Sequence, residues 1–205
     1  MRLLRTDTLE FQEFYGSKFP PYAILSHTWG DDEVTFQDMA SPNRFAKKGY
    51  AKIAMTCEIA KSAGLEFAWI DTCCIDKSSS AELTESINSM FQWYKNAAVC
   101  YVFLEDLLSE SPAEDMVRCR WFTRGWTLQE LIAPSCIHFY DQCWNRMGSK
   151  SDLMEILASA TRIDRRLLTG VKQLEDFSVA QKMSWASRRE TTRVEDTSVL
   201  STRNI

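Results

Sequence analysis

The chain reads as an α/β protein: a three-layer sandwich with a mostly parallel central sheet and additional helices toward the C-terminal end. Three observations predict this. Apolar runs at residues 22–25, 67–70, 98–104 and 136–140 are short enough for strands and separated by stretches with helical periodicity. Strand and helix alternate, which is the pattern of a parallel sheet with right-handed crossovers. The strands are apolar nearly throughout instead of alternating, as expected where both faces of a sheet are buried.

The elements follow in order. Residues 1–20 form a lead-in with an edge strand near Arg2–Leu4. Tyr22–Leu25 is the first buried strand, and it ends in Ser26, His27, Thr28, Trp29 and Gly30 before an acidic loop. A helix is predicted over 47–63, with Tyr50, Ile53, Ala54, Cys57 and Ala60 on its inner face and Gly64 as its stop. The second strand, 67–70, ends in Asp71 and passes into a loop, TCCIDKSSS. Ser79 with Glu82 has the spacing of a capping box, opening a helix whose inner face is Leu83, Ile87, Met90, Phe91 and Tyr94. The third strand, 98–104, ends in Glu105 and Asp106, followed by a polar stretch over 107–120. Next comes WFTRGWTLQELIAP (121–134), in which Gly125 can redirect the chain, Pro134 halts the helix, and Trp126 and Glu130 share a face four residues apart. A strand at 136–140, a helix capped by Ser151, and a last helix with a Ser178–Gln181 capping box complete the fold; residues 191–205 read as polar and frayed.

The totals narrow the function. A chain of 205 residues is enough for one domain with a real core. A net charge of −4 and the absence of a basic run argue against nucleic acid as a partner. Arg188, Arg189 and Arg193 cluster, but Glu190, Glu195 and Asp196 interleave with them, so this segment reads as a solvated face. Seven cysteines without a CxxC spacing, and only two histidines, argue against zinc and for reduced, buried thiols in a cytoplasmic protein. No apolar run approaches the ~20 residues a membrane helix needs, and the N-terminus lacks a signal core. Neither a GxxxxGK[ST] nor a GxGxxG sequence is present, which removes the usual phosphate-loop and dinucleotide-fold routes.

In open parallel sheets ligands sit past the carboxyl ends of the strands. Those ends carry Ser26 and His27, Asp71, and Glu105 with Asp106, and the Glu130 helix is expected to cover the same rim. One crevice would then hold a hydroxyl, an imidazole, carboxylates and the indoles of Trp29 and Trp126, with Gly30 in the adjoining loop. Each residue also has a plainer reading: Glu130 as a solvated side chain, Asp71 as a loop cap, the indoles as core. Cys74 with His27 and Asp71 composes a thiol-hydrolase set on paper, against the alternative of a buried cysteine pair.

Three stretches, YAILSHTWG (22–30), FAWIDTCCIDK (67–77) with SINSMFQWY (86–94), and RGWTLQELIAP (124–134), resemble the signature blocks of the fungal heterokaryon incompatibility (HET) domain, and SWASRRETTRVED (184–196) resembles a further downstream block. The resemblance spans about 21–196, leaving 1–20 as lead-in and 197–205 as a divergent tail. It implies a module of non-self recognition in filamentous fungi whose activation kills incompatible fused cells, partnered by itself or by other incompatibility proteins. The family is expected to continue past Asp196 with an apolar segment, where this chain has TSVLSTRNI. HET domains in turn resemble TIR domains, a flavodoxin-like fold in which several members cleave NAD with one glutamate. WTLQEL (126–131) is similar to the TIR helix that carries this residue and places Glu130 there, while ILSHTWGDDE and FAWID resemble the first two TIR strands.

What this implies is hydrolysis of NAD, with NAD as substrate and no cofactor or metal, Glu130 as the catalytic carboxylate, and Ser26, His27, Trp29, Gly30, Asp71 and Trp126 binding substrate. The alternative is a non-catalytic module that self-associates and recruits other effectors.

Overall fold

The computed structural model describes residues 1–16, 18–187 and 189–190. Seven strands, β1 (Arg2–Arg5), β2 (Phe11–Glu13), β3 (Tyr22–His27), β4 (Phe67–Trp69), β5 (Val99–Phe103), β6 (Ile137–Tyr140) and β7 (Arg146–Ser149), form one mixed sheet in the order β2-β1-β4-β3-β5-β6-β7. Among the described residues eight α-helical segments accompany them: α1 (Tyr50–Ser62), α2 (Asp71–Cys74), α3 (Ser80–Asn96), α4 (Arg120–Thr123), α5 (Thr127–Ile132), α6 (Met154–Thr161), α7 (Arg165–Leu168) and α8 (Val179–Ala186). This is the α/β sandwich architecture that the alternating pattern predicts.

β3 and β4 run parallel, with Tyr22 opposite Phe67 and Ile24 opposite Trp69. Every residue of β3, β4 and β5 is buried, which explains their uninterrupted apolar sequences. The margins differ from the sequence expectation. β1 pairs antiparallel with both β2 and β4, so the N-terminal strand lies inside the sheet and β2 takes the edge. β7 pairs antiparallel with β6. Neither β2 (FQE) nor β7 (RMGS) has an apolar pattern to announce it, because edge strands need bury little.

The chain divides into two compact units, Met1–Leu25 with Trp29–Tyr101, and Ser26–Thr28 with Val102–Ile205. In the first, Trp69 packs edge-on against Trp93 and Tyr94, and the hydroxyls of Tyr22 and Tyr94 donate to the carbonyls of Trp93 and Leu25 at 2.5 and 3.1 Å. Helix α1 buries Ile53, Cys57 and Ala60 and stops where Gly64 takes φ +78° and the Leu65 N–H returns to the Ala60 carbonyl, a C-terminal cap that favours glycine. α3 turns differently from the expected face: Ser86, Trp93 and Tyr94 are buried, while Leu83, Ile87, Met90 and Phe91 remain partly exposed. Ser79 accepts from the Glu82 N–H, but the Glu82 carboxylate accepts from Asp76 N and Arg2 instead of closing the capping box.

In the second unit the core is Val102, Leu104, Trp121, Leu128, Leu131, Ile137, Phe139 and Leu157. The Ser178–Gln181 capping box that opens α8 is complete in both directions. Ser151 does not cap α6; that helix begins after a turn in which Asp152 accepts from the Ser149 N–H and hydroxyl. Among the described residues no helix is long and apolar enough to cross a membrane.

Candidate functional site

The carboxylate of Glu130 is placed by two short elements. α4 ends at Thr123, the chain turns through Arg124 and Gly125, and α5 starts with Trp126 already in helical conformation. The Thr127 hydroxyl lies 2.6 Å from the Trp121 carbonyl and 2.8 Å from the Arg124 carbonyl, so the turn is held from inside. All six residues of α5 are buried, Glu130 among them at 7% exposure.

Glu130 does not face bulk water. The Ser26 hydroxyl at the end of β3 donates to its Oε2 in a short hydrogen bond, and the indole Nε1–H of Trp121 donates to the Ser26 oxygen at 2.7 Å. An indole nitrogen can only donate, so Ser26 accepts from Trp121 and its single proton goes to Glu130. Ser26 and Trp121 are both essentially unexposed. His27 and Thr28, which follow in the same unit, are buried too. Trp126, on the same helical face four residues before Glu130, is half-buried.

Arg189 belongs to this cluster, contrary to the reading of its segment as a solvated face. Residues 189–190 lie along the α4–α5 turn: Arg124 and Glu190 form a parallel bridge, Gly125 N donates to the Glu190 carbonyl at 2.8 Å, and Glu190 N donates to the Thr123 carbonyl at 2.5 Å. This carries the Arg189 guanidinium to the Thr127 hydroxyl at 2.6 Å and the Arg124 carbonyl at 3.0 Å. Burial lowers its pKa to about 10 and the charge of Glu130 acts the other way, so it remains a cation at neutral pH. Arg188, Arg193, Glu195 and Asp196, together with the expected continuation beyond Asp196, lie outside the described residues.

Trp29, Gly30 and Asp71 belong to the first unit and form a separate set of contacts. The Trp29 indole Nε1–H donates to Asp71 Oδ2 at 2.8 Å, and the Lys77 ammonium lies 3.5 Å from the centre of the Trp29 ring. Gly30 N donates to Glu33 Oε1 at 2.9 Å, the oxygen that also pairs with Lys52 at 2.6 Å. Asp106, considered with the strand ends, accepts from Arg120 N at the start of α4.

The thiols offer no comparable arrangement. Cys74 is buried and its sulfur accepts from the Ile70 N–H, while burial pushes Cys57 up to about 12 and Cys73 well above an ordinary thiol. Among the described residues no group of three His, Cys, Asp or Glu side chains could hold a metal ion.

Sequence reasoning singled out Ser26 and Glu130 but missed Trp121, Thr127 and Arg189. Trp121 and Thr127 lie in the same block as Glu130, and Arg189 lies in the downstream block, so recurrence of those blocks was the available signal.

Comparison with known proteins bears on the same blocks. A family model described as heterokaryon incompatibility protein (HET) matches residues 22–114. Vegetative incompatibility protein HET-E-1 of Podospora anserina is 45% identical over 210 residues, an alignment that covers 96% of this chain. The chain spans about 15% of the length of that curated relative. No solved structure shows a significant match.

Proposed function

Since the chain belongs to the heterokaryon incompatibility (HET) family, we propose that it is a module of fungal non-self recognition that promotes regulated cell death by hydrolysing NAD, with Glu130 as the catalytic carboxylate. The observation that carries this reading is the buried Glu130 carboxylate held by the Ser26 hydroxyl. Breaking the bond between nicotinamide and ribose develops positive charge on the ribose carbon. A fixed carboxylate in a poorly solvated place stabilises that charge, and nicotinamide departs neutral, without needing an acid. Water then adds to the ribose carbon, releasing a proton and an ADP-ribose product. In this scheme Ser26 and Trp121 fix the position of one carboxylate oxygen, and Arg189 with Thr127 keeps the α4–α5 turn closed.

The test is release of nicotinamide from NAD by the purified chain, followed chromatographically. Glu130→Gln is expected to lower kcat by about 100-fold or more, the scale of losing one electrostatic stabiliser. No turnover at high protein concentration, even when assemblies form, or turnover indifferent to Glu130→Gln, overturns the enzymatic reading.

A second reading is a non-catalytic module that associates with like domains and recruits a separate effector. It is favoured by the partly exposed apolar row Leu83, Ile87, Met90 and Phe91 on α3. Under it, cell death in the fungus survives Glu130→Gln and is lost on replacing Ile87 and Phe91 with polar residues.

A further inference from the structure

The first unit contains a concavity made of residues that take no part in holding Glu130. Two adjoining hollows, of about 380 and 360 Å³, lie between α3 and the turn that leaves β2, and Phe14, Tyr15, Glu85 and Trp93 line both. Each is in the size range of small-molecule sites. One face of α3 forms a wall, on which Glu82, Ser86, Ser89 and Trp93 follow one another at helical spacing. Ser86 and Trp93 are only 2% and 8% exposed. Among the described residues the Ser86 hydroxyl and the Trp93 indole N–H have no partner, and both are open to the hollow. The exposed side chains of Glu85 and Asn88 beside them are likewise unpartnered.

The opposite wall is aromatic and fixed. Tyr15 is 84% exposed, yet its hydroxyl donates to Glu13 Oε2 at 2.5 Å, so an open ring is held in place. Arg2 donates to the other Glu13 oxygen at 3.2 Å and to Glu82 at 2.8 Å, so two of the three carboxylates that line the hollow are already paired. Little charge is left to attract an ion. What remains is a set of hydrogen-bonding groups, some donors and some acceptors, beside aromatic surface. A sugar ring matches this, because its hydroxyls both donate and accept and its C–H face packs on an aromatic ring. The indole N–H of Trp93 can only donate, and an acetamido group offers it a carbonyl oxygen next to a methyl. We propose that the two hollows bind an acetamido disaccharide, one ring against Tyr15 with hydroxyls on Glu85 and Asn88, and an acetamido carbonyl on the Trp93 N–H. The assignment uses residues of the first unit alone and is independent of any reaction at Glu130.

The probe is N,N′-diacetylchitobiose, titrated into the full chain and followed by ligand-observed NMR, with cellobiose, the same two rings without acetamido groups, in parallel. Diacetylchitobiose is expected to bind in the millimolar range and more tightly than cellobiose. Glu85→Gln and Tyr15→Ala change exposed side chains and leave the core alone. The first is expected to weaken both sugars by about fivefold, as exchange of a charged acceptor for a neutral one would, and the second by about fivefold or more through loss of the ring contact. Trp93→Phe keeps an aromatic ring and removes the N–H, so diacetylchitobiose should fall to the level of cellobiose. No binding of either sugar at tens of millimolar, or binding indifferent to both Glu85→Gln and Tyr15→Ala, overturns the site. Cellobiose bound as tightly as diacetylchitobiose by the unsubstituted chain overturns the acetamido assignment.

Discussion

Trp121, Ser26 and Glu130 form a relay in which each group depends on the next. The indole N–H donates to the hydroxyl and the hydroxyl donates to the carboxylate, all out of contact with bulk water. Ser26→Ala removes the donor to Glu130, and Trp121→Phe removes the donor to Ser26; each is expected to cost about 1–3 kcal/mol, the range for orphaning a buried polar partner. Because the two substitutions break one chain, the double variant should be little worse than the worse single one, a non-additivity that denaturant unfolding of the four proteins would measure. Simple additivity would mean the two bonds are energetically separate. Ser26 and Glu130 were legible as a polar strand end and a carboxylate on an apolar helix. Arg189 was not, because its sequence neighbours are charged and look solvated; only the backbone pairing of residues 189–190 with the α4–α5 turn draws it inward.

Among the elements, α1 shows how much local pattern can settle. Its apolar spacing and its glycine stop were readable, and the helix ends one residue before the sequence boundary. Its start was not readable, since it depends on Gly49 packing against a loop distant in sequence. A Cβ built at Gly49 would lie 2.5 Å from Glu33 Oε2 and 2.8 Å from Glu33 Cα. Glu33 cannot easily retreat, because Lys52 and the Gly30 N–H hold its carboxylate. Gly49→Ala should therefore destabilise the protein by about 1–3 kcal/mol through overpacking, seen as a lower urea midpoint with an unchanged slope. An unaffected midpoint would show that the loop gives way. β2 and β7 escaped the sequence for the opposite reason: with few buried residues, their pairing partners define them, not their composition.

Over the molecule, the seven cysteines report on burial independently of any activity. Cys57, Cys73, Cys74, Cys100 and Cys119 are buried, Cys136 is half-buried and Cys143 is exposed. Burial pushes both Cys57 and Cys119 up to about 12, which suppresses the reactive thiolate at neutral pH. A thiol reagent applied to the native chain should label Cys143 first and Cys136 more slowly, with the remaining five appearing only on unfolding. Rapid native labelling of more than two thiols would contradict this packing. Composition made buried thiols legible; which two would surface was not, because Cys119, flanked by Arg118 and Arg120, is buried although its neighbours are as polar as those of Cys143.

The backbone of Glu190 is tied to Thr123 on one side and Gly125 on the other. Mechanically, this makes the hinge in front of Glu130 the first point to feel tension on the polypeptide downstream. A pull there would peel Arg189 off the Arg124 carbonyl and the Thr127 hydroxyl before it disturbed the sheet, loosening the turn that leads into the Glu130 helix.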